Sequence, residues 1–132
     1  MPMIKQDGNP FSFLIVDDSK FARSSLIKLV EQIGGNVIGE ASSGAEALEM
    51  HEQLQPDVVT MDLSLPDVDG IILVRKMMSV YPDTLIILSS GISHEEVIEE
   101  ALRAGAEHFI SKPLDVDKAQ KIIEWVLRVS NK

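Results

Sequence analysis

Three aspartates and a lysine are the residues of this chain whose types and spacing could do chemistry. Asp17 and Asp18 are adjacent after the apolar run Leu14-Ile15-Val16. Asp62 closes the run DVVTMD (57–62), and Lys112 lies in ISKPL (110–114). Neighbouring carboxylates repel, and burying one without a partner is costly. If the fold gathers three of them, a hard divalent cation relieves the repulsion. Mg²⁺ suits a few carboxylates plus water and a phosphate, and Mn²⁺ takes the same oxygen donors. Lys112 would add a second positive charge. Taken singly, each residue has an ordinary explanation. An aspartate at a strand end is commonly a turn or cap residue, and Asp18 or Ser19 would serve to cap the helix that follows. Ser90 alone reads as a loop hydroxyl and Lys112 alone as a surface charge. What matters is whether the chain brings them to one place.

The elements that must do so are legible. Short aliphatic and β-branched runs occur at FSFLIV (11–16), NVIGE (36–40), DVVTMD (57–62), TLIIL (84–88) and EHFI (107–110). Continuous apolar character in such short runs predicts strands buried on both faces of a parallel sheet. Helical periodicity lies between them: Ala22, Leu26, Leu29, Val30 and Ile33 in the first such stretch, Val97, Ile98, Ala101 and Leu102 in the fourth, and Val116, Ala119, Ile122, Ile123 and Val126 in the last. Gly34-Gly35 and Gly105 stand where helix C-caps belong. Ser43 with Glu46, and Ser93 with Glu96, have capping-box spacing. Asp69 and Asp115 predict the caps of the third and fifth helices. Pro56 and Pro82 stop helices just before strands.

The order βαβαβαβαβα predicts an α/β fold, a doubly wound parallel sheet with helices on both faces. Right-handed crossovers leave few topologies, and the flavodoxin-like strand order 2-1-3-4-5 is the expectation. Ligands in such folds bind at the carboxyl ends of the strands. The first and third strands are neighbours at the switch point, which brings Asp17, Asp18 and Asp62 into one crevice. Ser89-Ser90 and Ser111-Lys112-Pro113 follow the fourth and fifth strands at the same edge.

The chain has 132 residues, suited to one domain with one sizeable core. Twelve basic against twenty-one acidic residues give a formal charge of −9. That field repels phosphate backbones, so direct nucleic-acid binding is not expected, while cations and basic surfaces are attracted. There is no cysteine, which removes disulfides, thiolate metal sites and cysteine nucleophiles. No secretory leader is apparent, and the apolar runs are too short to span a bilayer. The expectation is a cytoplasmic protein without membrane insertion. Residues 1–10 read as a flexible tail and 11–130 as a single domain with no output domain after it. His51, His94 and His108 share no ligand spacing and are expected at the surface or half-buried. Glu95, Glu96, Glu99 and Glu100 read as a solvated helix face, and Trp125 as partly buried.

With these residues in place the sequence resembles the receiver domain of two-component response regulators. LIVDDS resembles the acidic-pair motif, MDLSLPDVDG (61–70) the segment of the phospho-acceptor, LSSG (88–91) the hydroxyl motif and ISKPL the Lys-Pro motif. The resemblance implies that Asp62 accepts a phosphoryl group from a histidine kinase or histidine phosphotransfer protein. It implies that Asp18 binds Mg²⁺ directly and Asp17 chiefly through water, with Asp62 and the backbone carbonyl of Ser64 completing the set. Lys112 would pair with Asp62 and then with the phosphate. Ser90 would hydrogen-bond the phosphate, helped by the backbone N–H groups of Ser64 and Gly91, and Lys112-Pro113 would be a cis peptide. Phe109 would be the switch aromatic, moving as Ser90 is drawn to the phosphate and changing the surface of the fourth helix, fifth strand and fifth helix. That surface would bind a downstream protein whose identity the sequence does not name. Ser64 and Ile92, at positions that modulate phosphate lifetime in the family, are neither acids nor amides and imply a long-lived phosphorylated state.

Two other readings compete. A Mg²⁺-dependent phosphohydrolase would use Asp62 as nucleophile, but Asp62-Leu63-Ser64 lacks a second acid two residues on, and no cap domain encloses a substrate. A pseudo-receiver would act only as a phosphorylation-independent binding module, but no site residue is missing.

Overall fold

The computed structural model describes residues 4–91 and 95–130. Five strands, β1 (Ser12–Val16), β2 (Asn36–Ala41), β3 (Val58–Asp62), β4 (Leu85–Ser90) and β5 (His108–Ser111), alternate with five helices. These are α1 (Lys20–Gln32), α2 (Gly44–Leu54), α3 (Gly70–Val80), α4 (Glu95–Ala104) and α5 (Val116–Ser130). All strand pairs are parallel, and the sheet order is β2-β1-β3-β4-β5. This is the expected flavodoxin-like topology. β4 runs two residues beyond TLIIL, because Asp62 pairs in register with Ser89 and Ser90 with Ser111.

Strand pleating divides the core into two layers. Leu14, Val59, Met61, Ile86 and Leu88 face Ala47 of α2, Leu73 and Met77 of α3 and Ala101 of α4. Phe13, Ile15, Val58 and Ile87 face Leu26 and Leu29 of α1 and Ala119 and Ile123 of α5. Each fully buried Leu, Ile or Phe contributes about 1.5–3 kcal/mol relative to exposure, so the central strands hold the site edge firmly.

The caps fall where the sequence placed them, with one change of partner. Ser19 caps α1 by accepting the Ala22 amide, and Asp69 caps α3 by accepting that of Ile71. Asp115 accepts from the Lys118 amide at the start of α5. Ser43 caps α2, but the reciprocal Glu46 carboxylate takes the N–H of Ser42 at 3.0 Å. Gly34 (φ 90°) and Gly105 (φ 128°) end α1 and α4 in the left-handed region, where a side chain would be strained. Ser93 and His94 lie outside the described residues.

Several burial expectations are corrected. Leu102 and Val116 are exposed, because α4 and α5 present their buried stripes through Ile98 and Ala101 and through Ala119, Ile123 and Val126. Trp125 is partly buried as expected, with 51% of its surface exposed. His51, expected at the surface or half-buried, is 1% exposed, and its Nε2 lies 2.9 Å from Thr84 Oγ1. The Thr84 hydroxyl donates to the Tyr81 carbonyl at 2.8 Å, so His51 must carry its proton on Nε2 and donate to Thr84. In residues 4–10, Lys5 and Asn9 close a turn, and the Lys5 ammonium lies 3.3 Å from Asp57 at the amino edge of the sheet.

Candidate functional site

The carboxyl edge of the sheet gathers the residues singled out in the sequence. Val16, Met61 and Leu88 anchor three neighbouring strand ends with no exposure above 1%. The chain then emits polar groups into the crevice at the β1–β3 switch point. Asp17, Asp18 and Asp62 each place a carboxylate oxygen within 4.8 Å of the others. Asp17 is fully buried, Asp62 is 4% exposed and Asp18 faces solvent. Lys112 reaches across from the loop after β5. Its Nζ donates to Asp17 Oδ2 at 2.7 Å and to Asp62 Oδ2 at 3.2 Å.

Backbone donors fix the other carboxylate oxygens. The Ser19 N–H donates to Asp17 Oδ1 at 2.9 Å, and the Ser64 N–H donates to Asp62 Oδ1 at 2.9 Å. The Ser64 amide, expected to face a phosphate, is thus engaged with Asp62 itself. Burial works to lower the pKa of Lys112, but the hydrogen bond to Asp17 and the charges of Asp62 and Asp17 outweigh it and hold the ammonium above the ordinary lysine value. The Lys112–Pro113 peptide is cis. The Lys112 N–H donates to the Ser90 carbonyl at 2.9 Å, which ties the β5–α5 loop to the end of β4.

Ser90 is buried at the crevice edge, and Gly91 is exposed beside it, with the Lys112 side chain as its neighbour. Phe109 is half-buried against the α2–α3–α4 layer, ending three residues before Lys112. Ile92 lies outside the described residues.

The donor set fits a hard divalent cation. It is all oxygen, with no nitrogen or sulfur ligand among the clustered groups. Three carboxylates and one ammonium leave two negative charges, which such an ion balances.

Two residues at this edge carried no sequence signal. Arg23 donates from Nη1 to the Asp17 carbonyl at 2.6 Å and from Nε to Glu40 at 3.1 Å, clasping β1 to β2 behind the acidic pair. Asp67 accepts from the backbone of Gly44 and Ala45 at the start of α2. Their partners lie far along the chain or are main-chain groups, which no residue pattern reveals.

A parallel doubly wound sheet with a carboxylate trio at its switch point and a lysine bridging two of the three defines a class of α/β domain with an acidic site at the carboxyl edge of its sheet. The family model of the response regulator receiver domain matches residues 13–124. The chain therefore belongs to the response regulator receiver domain family of two-component signalling, and it is CheY-like. It is 38% identical over 117 residues to a chemotaxis protein CheY of Thermotoga maritima, covering 89% of this chain and 95% of that one. It superposes with a TM-score of 0.87 and 34% identity on a chain of the CheX-CheY-BeF3-Mg complex from Borrelia burgdorferi, covering 91% of each. It is also 41% identical over 102 residues to a protein-glutamate methylesterase/protein-glutamine glutaminase of Alkalilimnicola ehrlichii, of which it spans only 26%.

Proposed function

We propose that this domain accepts a phosphoryl group on Asp62 from a phosphohistidine of a histidine kinase or phosphotransfer protein, and signals through its α4–β5–α5 surface to a partner protein. One observation carries the reading: a single ammonium, Lys112 Nζ, lies within hydrogen-bond reach of both Asp17 and Asp62 while Asp18 stays open to solvent beside them.

In the transfer, an Asp62 carboxylate oxygen attacks phosphorus and forms an acyl phosphate as the P–N bond of the donor breaks. The bonding electrons leave with the imidazole nitrogen. Asp17, Asp18, Asp62 and the Ser64 carbonyl would hold Mg²⁺, or Mn²⁺ in its place. When bound, the ion supplies charge neutralisation for the phosphoryl oxygens. Lys112 moves its hydrogen bond from Asp62 to a phosphoryl oxygen, and the Ser90 hydroxyl and Gly91 N–H take others. Hydrolysis reverses the state: water attacks phosphorus, the acyl P–O bond breaks, and Asp62 is restored with release of inorganic phosphate. Drawing Ser90 toward the phosphate alters the end of β4, and Phe109 on the neighbouring strand follows. A phosphoryl group shifts that equilibrium only by its differential contacts with the two states.

The test is intact-protein mass spectrometry after incubation with acetyl phosphate, with and without Mg²⁺, on wild type and Asp62→Asn. The expected result is one phosphoryl adduct that requires Mg²⁺ and is absent from the variant. An unlabelled wild type that also fails to bind beryllofluoride would point instead to a phosphorylation-independent binding module. Sustained turnover of small phosphate esters would point to a phosphohydrolase.

A further inference from the structure

We propose that Asp67 is a positioning residue for the acidic site, tying the β3–α3 loop to the amino end of α2 and so fixing the peptide units that follow Asp62. The inference rests on the reading of Asp17, Asp18 and Asp62 as a Mg²⁺ and phosphoryl site.

Asp67 Oδ1 accepts from the Gly44 N–H at 2.8 Å, and Oδ2 accepts from the Ala45 N–H at 3.1 Å. These amides belong to the first turn of α2, where no intrahelical acceptor exists and the helix dipole favours an anion. The capping of α2 is thus divided. Ser43 takes the Glu46 amide at 3.2 Å, and a loop more than twenty residues further along takes the two amides before it. Gly44 makes the close approach workable: a Cβ there would collide with the Val68 side chain.

The loop is anchored again at its far end, where Asp69 takes the Ile71 N–H at 2.8 Å. Between Asp62 and these anchors lie Leu63 to Pro66. They include Ser64, whose N–H orients Asp62 Oδ1 at 2.9 Å and whose carbonyl is the fourth oxygen assigned to the ion. The start of α2 also follows β2 directly, and the Ala41 carbonyl of β2 accepts the Asp17 N–H at 3.0 Å. Asp67 therefore links the loop carrying Asp62 to the strand end that holds Asp17. Mutating an outer group that hydrogen-bonds a metal ligand typically costs about 10–100-fold in metal affinity.

The decisive experiment is calorimetric Mg²⁺ titration of the full chain as wild type, Asp67→Ala, Asp67→Asn, Gly44→Ala and Asp57→Ala, with amide hydrogen exchange at Ser64 in metal-free protein. Asp57 is the control, because its carboxylate takes the Ser12 N–H at 2.8 Å at the opposite edge of the sheet. Asp67 bonds to no proposed ligand itself, so Asp67→Ala is expected to fall below the range of about 10–100-fold seen for direct partners of ligands, weakening Mg²⁺ binding by roughly threefold or more and speeding Ser64 exchange. Asp67→Asn, which keeps one acceptor oxygen, should fall between. Gly44→Ala presses on Val68 while keeping the carboxylate, and should weaken binding too, which keeps the test open if Asp67→Ala folds poorly. Asp57→Ala should lose stability with unchanged Mg²⁺ affinity. Asp67→Ala binding within about twofold of wild type, with Ser64 exchange unaltered, would reduce Asp67 to a cap and overturn the proposal. A wild type that takes up no Mg²⁺ would overturn the underlying reading, and this one with it.

Discussion

Lys112 Nζ lies 2.7 Å from Asp17 Oδ2 across ninety-five residues of sequence, and it is the contact that makes the acidic edge tolerable without an ion. Asp17 and Asp62 are both buried, and Lys112 is the cation that an ion pair gives each of them among the described residues. Replacing Lys112 by methionine keeps the volume and removes the charge. Breaking a buried pair costs about 3–5 kcal/mol, and the partly exposed lysine side chain brings the expectation down to about 1–3 kcal/mol. Urea unfolding in chelator should show that loss, and added Mg²⁺ should recover much of it by neutralising the same oxygens. A Lys112→Met protein as stable as wild type in chelator would count against this account. The pH dependence has a fixed sign. The folded-state pKa of Lys112 is raised, so its contribution is complete below the unfolded value of about 10.4 and is lost as pH rises through the folded value.

His51 supplies a second pH dependence, of opposite sense. Burial pushes its pKa below the ordinary histidine value. The unfolded chain therefore binds a proton that the folded chain refuses. Stability is complete above about pH 6.5 and declines as pH falls, by at most about 1.4 kcal/mol per pH unit for this one proton. His51→Gln should be less stable at pH 8, because the Thr84 hydrogen bond is disturbed, yet show a flatter profile between neutral pH and pH 5.5. Urea midpoints for both proteins at the two ends of that range check the sign. Parallel profiles would mean that other groups cause the decline.

Gly70 closes the loop after Asp62 by lying against Leu63. A Cβ at this position would meet Leu63 Cα at 2.9 Å and its carbonyl oxygen at 3.0 Å, and backbone atoms do not step aside as a flexible side chain would. Gly70→Ala is therefore expected to cost about 1–3 kcal/mol by overpacking. Because Leu63 adjoins Asp62, the rate of labelling by acetyl phosphate should fall as well. Denaturation and labelling measured together decide this: an unchanged rate in a destabilised protein would mean that the strain is absorbed away from Asp62.

The fold and the site were largely legible for one reason. Alternating apolar runs fix a parallel sheet, and a parallel sheet places every strand's carboxyl end at one edge. Asp17, Asp18, Asp62, Ser90 and Lys112 could thus be assigned to one crevice without any distance. The family resemblance supplied the finer division of roles. What escaped was non-local or main-chain. His51 looks like a surface residue of α2 until Thr84 arrives from the start of β4. Asp67 sits inside the recognised MDLSLPDVDG segment, but its partners are backbone amides of another helix. Leu102 and Val116 fit the helical period, yet they fall at the rims of their stripes, where one step of rotation separates buried from exposed.

Trp125 offers a direct reading of the proposed switch, because it is the single tryptophan of the chain. Its ring packs edge-on against His108 with centroids 5.8 Å apart, and the His108 ring stands 6.3 Å from Phe109. The Phe109 N–H also donates to His108 Nδ1 at 2.8 Å. A movement of Phe109 must therefore disturb His108 and, through it, the indole. Beryllofluoride with Mg²⁺, which mimics a phosphoryl group on a carboxylate, should change the Trp125 fluorescence of wild type. Ser90→Ala should still bind beryllofluoride, since Asp62, Lys112 and the acidic pair are intact, but give a much smaller optical change. Phe109→Ala should likewise bind without the signal. If Ser90→Ala and wild type give the same change at saturation, the strand-four hydroxyl does not transmit the event. The coupling to α5 would then have to run through the Lys112 loop, whose main chain already bonds to Ser90.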